Sequence, residues 1–151
     1  GPLADPRADR GGVAVRALHV LLVEDDADHV FLVRRALADM PGIEVTVEVA
    51  GDGEQATERL GRSWFGPGRR PQLVLLDLKM PRMDGLEVLR RIRADEAMAQ
   101  LPVVVLTSSE RPEDREAAVA AGATWFVCKP IDGRRFRSEV QQLADRWAVP
   151  A

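Results

Sequence analysis

The chain has 151 residues, 46% of them hydrophobic and 30% charged, and carries a net charge of −3. These are ordinary values for one soluble globular domain, and they offer no basic footprint for nucleic acid or for an anionic membrane surface. The single cysteine, Cys128, excludes an intramolecular disulfide, no apolar run reaches the roughly 18 residues of a membrane span, and no signal peptide is visible, so a reducing, cytoplasmic location is expected.

Residues 1–16 mix Pro, Gly, Arg and Asp without periodicity and read as a disordered lead-in, of which Gly1-Pro2 resembles a tag-cleavage scar. A buried strand is predicted over 17–23, ending in Glu24-Asp25-Asp26, with Asp28 as cap of the helix that follows. That helix covers 28–40, where Val30, Phe31, Val33, Leu37 and Met40 recur near helical spacing, and Pro41-Gly42 stops it. Residues 43–50 alternate Ile/Val with Glu/Thr, as an edge strand with one wetter face does. A short helix is expected over 54–60. The connector 61–71, rich in Gly, Arg and Pro, holds Trp64-Phe65, read as a local hydrophobic clamp rather than an exposed partner patch.

Residues 73–77, Leu-Val-Leu-Leu-Asp, form a continuous apolar run that ends in one acid, the pattern of a strand covered on both faces. Judged alone, Asp77 at its end is as readily a turn residue as a functional one. Asp84-Gly85 turns the chain into a helix carrying Leu86, Val88, Leu89, Ile92 and Met98. A fourth strand over 101–106 meets Thr107-Ser108-Ser109, a helix over 111–121 is closed by Gly122, and a fifth strand over 124–128 meets Lys129-Pro130. Asp132 is placed to cap a last helix through Phe136, Val140, Leu143 and Trp147, ending near 148, with 149–151 as a tail. Five successive βα units over 17–148 predict an α/β domain, a doubly wound five-stranded parallel sheet.

In such sheets the ligand crevice lies outside the carboxyl ends of the strands. Glu24 and Asp25, Asp77, Thr107 and Lys129 stand at four of those five ends. Close carboxylates repel one another, and a hard cation such as Mg²⁺ relieves that repulsion. A hydroxyl and an ammonium suit phosphoryl oxygens, so the set fits an Asp that takes up a phosphoryl group as an acyl phosphate. Gly51-Asp52-Gly53 lacks the further residues of a phosphate loop, and His19 and His29, with no second ligand at metal spacing, read as structural or surface residues. Cys128 reads as a buried strand residue.

Four segments carry a resemblance: Leu-Leu-Val-Glu-Asp-Asp (21–26), Leu-Leu-Asp-Leu-Lys-Met-Pro-Arg-Met-Asp-Gly (75–85), Val-Val-Val-Leu-Thr-Ser (103–108) and Cys-Lys-Pro (128–130). In this order they resemble the receiver domain of two-component response regulators, the CheY-like, flavodoxin-like fold. The resemblance implies that Asp77 accepts a phosphoryl group from the phosphohistidine of a sensor histidine kinase. It implies Mg²⁺ held by Glu24, Asp25, Asp77 and the main-chain carbonyl of Lys79. Thr107 and Lys129 fall at the residues that touch the phosphoryl oxygens, and Phe126 at the aromatic switch position that follows Thr107. The bond before Pro130 is expected cis. Ser108, Ser109 and the side chain of Lys79 are placed to modulate the site.

Three positions depart from the common pattern. Glu24 is longer than Asp, Lys79 sits at the site mouth, and Phe126 carries no hydroxyl. The implied protein is a signalling module, not an enzyme beyond its own phosphorylation and autodephosphorylation. Its output is contact with a downstream protein. The kinase is expected to dock on the first helix near Val30 and Phe31. The segments also resemble the small regulators paired with bacterial phytochromes, which points to a phytochrome-type kinase. A homodimer through the fourth helix, fifth strand and fifth helix, with Trp125 and Trp147, is also implied. Two other readings of the residues remain. A haloacid-dehalogenase-like phosphatase shares the strand-end Asp but requires a second Asp where Lys79 stands. A receiver-shaped docking module would never be phosphorylated.

Overall fold

A computed structural model describes residues 15–66, 69–80, 84–129 and 133–151. Residues 1–14 of the lead-in expected over 1–16, part of the connector, Pro81, the cis bond before Pro130 and the cap at Asp132 lie outside the described residues. Five parallel strands alternate with five helices: β1 (Arg16–Val23), α1 (Ala27–Ala38), β2 (Ile43–Ala50), α2 (Gly53–Phe65), β3 (Leu73–Asp77), α3 (Gly85–Ala94), β4 (Val103–Thr107), α4 (Pro112–Ala121), β5 (Trp125–Cys128) and α5 (Arg134–Trp147). The strand order is β2-β1-β3-β4-β5. Every residue of β3 is buried, as its unbroken apolar run requires, and β2, whose pattern alternates, lies at an edge.

Two apolar layers sandwich the sheet. Val20, Leu22, Leu75 and Leu106 pack with Val33 and Leu37 of α1 and with Phe136 and Val140 of α5. Leu21, Leu76 and Val105 pack on the other face with Ala56 and Leu60 of α2, Val88 and Ile92 of α3, and Ala118 of α4. Neighbouring strand residues alternate between the layers, as the period of two dictates.

Local chemistry shifts several expected boundaries. Asp26, not Asp28, caps α1. Its backbone is extended, and its Oδ1 accepts the N–H groups of Asp28 at 2.8 Å and His29 at 3.4 Å. Asp28 is already in the first turn, where its charge favours the helix dipole. Helix α2 runs five residues past Leu60 to Phe65. Its last turn is anchored by the Trp64 indole N–H, which donates to the Ala97 carbonyl at 2.9 Å, so Trp64 is a clamp on a helix rather than in a loop. Phe65 beside it is exposed.

Helix α3 ends at Ala94, and Met98 is buried in the turn after it. β4 begins after Pro102, which has no N–H to give the ladder. The expected tail forms a short sixth strand, β6 (Val149–Pro150), antiparallel to Arg16–Ala17 of β1. Cys128 is exposed, contrary to expectation, because β5 is an edge strand.

One glycine is dictated by a close approach. The Gly85 N–H donates to the Leu78 carbonyl at 3.1 Å, and a Cβ on Gly85 would stand 2.7 Å from Leu78 Cα and closer still to the Asp77 carbonyl oxygen. The start of α3 is thereby pressed against the end of β3, where Asp77 sits.

Candidate functional site

Parallel pairing brings the carboxyl ends of the strands to one edge. Val23 pairs with Leu76, so Glu24 lies level with Asp77. Asp77 pairs with Leu106, and Thr107 pairs with Cys128. The Lys129 N–H then donates to the Thr107 carbonyl at 2.8 Å, which fixes the start of the lysine side chain.

Glu24, Asp25 and Asp77 each offer a carboxylate oxygen within 4.8 Å of the others. Glu24 and Asp77 are buried, whereas Asp25 is exposed. Lys129 Nζ donates to Glu24 Oε1 at 3.1 Å and stands 3.5 Å from Asp77 Oδ2. Asp77 Oδ1 accepts the N–H of Lys79 at 3.1 Å, and Glu24 Oε2 accepts that of Asp25 at 3.1 Å. Burial, and beyond it the hydrogen bond to Asp77 and that acid's charge, push the Glu24 carboxyl up to about 7. One lysine does not balance three acids, so these residues form an oxygen-rich site able to hold a hard divalent cation.

Thr107 ends β4 and is half-buried, and its Oγ1 accepts the Ser109 N–H at 3.0 Å. The Ser109 hydroxyl donates to Asp114 of α4, while Ser108 is exposed. A cleft of about 280 Å³ lies between Thr107 and Phe126. Phe126 packs partly buried against the α2–α3–α4 layer, and the Arg115 guanidinium lies 4.4 Å over its ring. The Lys79 side chain is exposed. Trp125 is exposed, whereas Trp147 packs against the α1–α5 layer, so the two do not form one exposed face.

Two contributors escape a reading of the sequence. His29, expected to be structural or on the surface, places Nδ1 2.9 Å from Glu24 Oε1 and 2.9 Å from Lys129 Nζ. Its signal is position alone: it lies in the first turn of the helix that follows the acid pair. Arg115, one arginine among many on exposed helix faces, shows no signal at all.

Residues 20–141 match the family described as the response regulator receiver domain. The chain is 36% identical over 129 residues to the probable methanogenesis regulatory protein FilR2 of Methanothrix harundinacea, covering 85% of this chain and 82% of that protein. The Mn²⁺-bound form of response regulator Rcp1 superposes with a TM-score of 0.75 at 30% identity, over 89% of this chain and 99% of that one. The phosphorylated cyanobacterial phytochrome response regulator RcpA gives 0.77 at 28%, over 87% and 94%. Among the described residues no helix is long and apolar enough to cross a membrane. In sequence, in fold and in the layout of its strand ends, the chain belongs to the response regulator receiver domain family of two-component signalling.

Proposed function

We propose that Asp77 accepts a phosphoryl group from the phosphohistidine of a sensor histidine kinase, in a Mg²⁺-dependent reaction, and that the acyl phosphate switches a protein-binding surface. The observation that carries this reading is the position of Asp77: a buried carboxylate with one oxygen tied to the Lys79 N–H and the other facing Lys129 Nζ at 3.5 Å. The likeness to a phosphorylated phytochrome response regulator supports it.

Oδ1 is fixed, so Oδ2 is left to form the new P–O bond. The P–N bond of the phosphohistidine breaks, and its electron pair returns to the imidazole. Lys129, beside Oδ2, then meets the incoming phosphoryl oxygens, and the Thr107 hydroxyl, whose oxygen already accepts from Ser109, keeps its proton free to donate to them. Glu24, Asp25, Asp77 and the main-chain carbonyl of Lys79 would hold the Mg²⁺. When bound, the ion neutralises charge that builds up on the phosphoryl group. Movement of Thr107 toward that group opens the cleft beside Phe126, whose ring can then swing inward. Ser108, Ser109 and the Lys79 side chain border this site and set the lifetime of the phosphoryl group.

Phe31 is exposed on α1, the helix that follows Glu24 and Asp25 in the chain, and is read as a kinase contact. A phytochrome-type kinase is favoured by the likeness to RcpA. Val119 of α4 and Trp125 of β5 are both exposed beside a cleft of about 860 Å³ that reaches α5, which favours this face for a downstream protein or a second copy of the chain. The reading places the protein in the cytoplasm with its kinase.

Intact-mass or Phos-tag analysis with acetyl phosphate and Mg²⁺ tests the central claim. One phosphoryl adduct is expected, lost with chelator and lost in Asp77→Asn; an equal adduct in Asp77→Asn would overturn the assignment.

A further inference from the structure

We propose that His29 is a positioning residue of the cation site, holding the Glu24 carboxylate in place when a divalent cation displaces Lys129 from it. The inference rests on reading Glu24, Asp25 and Asp77 as cation ligands.

Lys129 and a cation compete for the same oxygens, because Nζ sits on Glu24 Oε1 and beside Asp77 Oδ2. A divalent ion on these acids repels the ammonium. Glu24 then loses its ammonium donor, and its side chain is fully buried, so solvent does not readily replace it. With Asp77 also turned to the cation, two nitrogen groups remain against that carboxylate among the described residues: the Asp25 N–H on Oε2 and His29 Nδ1 on Oε1.

The imidazole suits both states. A neutral ring carries its proton on either nitrogen. With Nδ1 bare it accepts from Lys129 at 2.9 Å; with Nδ1 protonated it donates to Glu24 at 2.9 Å. Nε2 lies 3.7 Å from Asp26 Oδ2, beyond hydrogen-bond reach, so Nδ1 carries the ring's polar work. The helix cap fixes the backbone beneath it, since the His29 N–H donates to Asp26 Oδ1. Hydrogen-bonded support of this kind orients a metal-ligating carboxylate.

The test is calorimetric titration of the whole chain with Mg²⁺ and with Mn²⁺, in wild type, His29→Ala and His29→Asn. The Asn amide nitrogen overlays Nδ1 and can donate in its place. His29→Ala is expected to weaken binding about 10-fold or more, while His29→Asn stays within about 3-fold of wild type. Unfolding curves of the variants report any general loss of structure, which would lower stability without being rescued selectively by Asn. Equal affinity in His29→Ala and wild type overturns the role of His29 alone, as does His29→Asn binding as weakly as His29→Ala. No saturable binding by wild type overturns the cation reading itself.

Discussion

Two histidine–glutamate pairs stand near β1, and they are built in opposite senses. At the site, Glu24 is 0% exposed and His29 is 31% exposed, with 2.9 Å between them. Lower on the strand, His19 is 6% exposed and Glu48 of β2 is 35% exposed, with 3.4 Å between them. Burial disfavours whichever charge it encloses. It therefore raises the Glu24 carboxyl and lowers the His19 imidazole. The cations differ likewise. Lys129, buried with Glu24, also reaches Asp77, whereas Arg59 meets Glu48 near solvent at 2.7 Å and holds that carboxyl below its usual range. A buried acid with an open partner can respond to a cation or a phosphoryl group. A buried imidazole beneath an open acid is packing.

The largest break in that comparison comes from removing each cation. In metal-free protein at pH 8, Lys129→Met leaves two buried carboxylates without their ammonium and is expected to cost about 3 kcal/mol. Arg59→Met removes a half-exposed pair and should cost under about 1 kcal/mol. Urea unfolding with chelator present measures both. The Lys129→Met deficit should shrink toward pH 5, because Glu24 then takes up a proton instead of keeping an unpaired charge. A deficit independent of pH would show that Glu24 is not the group under strain.

The same contrast predicts opposite pH slopes. Glu24 holds its proton up to about 7 when folded but only to an ordinary 4.5 when unfolded. Between those values the folded state binds more protons, so this group's stabilisation is lost as pH rises through the window. His19 is lowered from 6.5, so the unfolded state binds more protons below 6.5, and stability falls as pH drops through that range. In chelated protein the two slopes oppose. Glu24→Gln should leave stability rising with pH up to about 6.5, and excess Mg²⁺ should do the same by keeping Glu24 ionised. Unfolding curves taken across pH 4.5–7.5 would reveal it; an unchanged profile in Glu24→Gln would remove Glu24 as the source.

Much of this arrangement is legible in the residues before any coordinates. β1, β3 and β4 are runs that only a two-sided layer buries, and parallel pairing then has to gather Glu24, Asp25, Asp77 and Thr107 at one edge. What escapes depends on where distant groups meet. Asp28 is the cap expected from the residues, and only the extended backbone at Asp26 gives that place to Asp26. The last turn of α2 relies on a carbonyl 33 residues away. β6 exists because α5 delivers Val149 beside Ala17. His29 and His19 look alike in a sequence, ten residues apart, and only the sheet decides which one faces the site.

The smallest expected effect separates them finally. Among the described residues neither ring nitrogen of His19 has a hydrogen-bond partner, though its backbone N–H donates to Gln72 Oε1 at 2.6 Å. The ring is thus a buried polar group stabilised by little except the nearby charge of Glu48. Replacing it with an apolar side chain of similar reach removes an unsatisfied group and keeps the strand's own bond to Gln72. His19→Leu should therefore shift unfolding free energy by no more than about 1 kcal/mol at pH 7, in either direction. Mg²⁺ affinity and phosphorylation at Asp77 should stay at wild-type levels, unlike in His29→Ala. In chelated protein the pH dependence below 6.5 should then follow Glu24 alone, with stability falling as pH rises, since the opposing imidazole is gone. A loss of Mg²⁺ affinity in His19→Leu would mean that the two pairs communicate through β1, and the division between a responsive pair and a packing pair would fail.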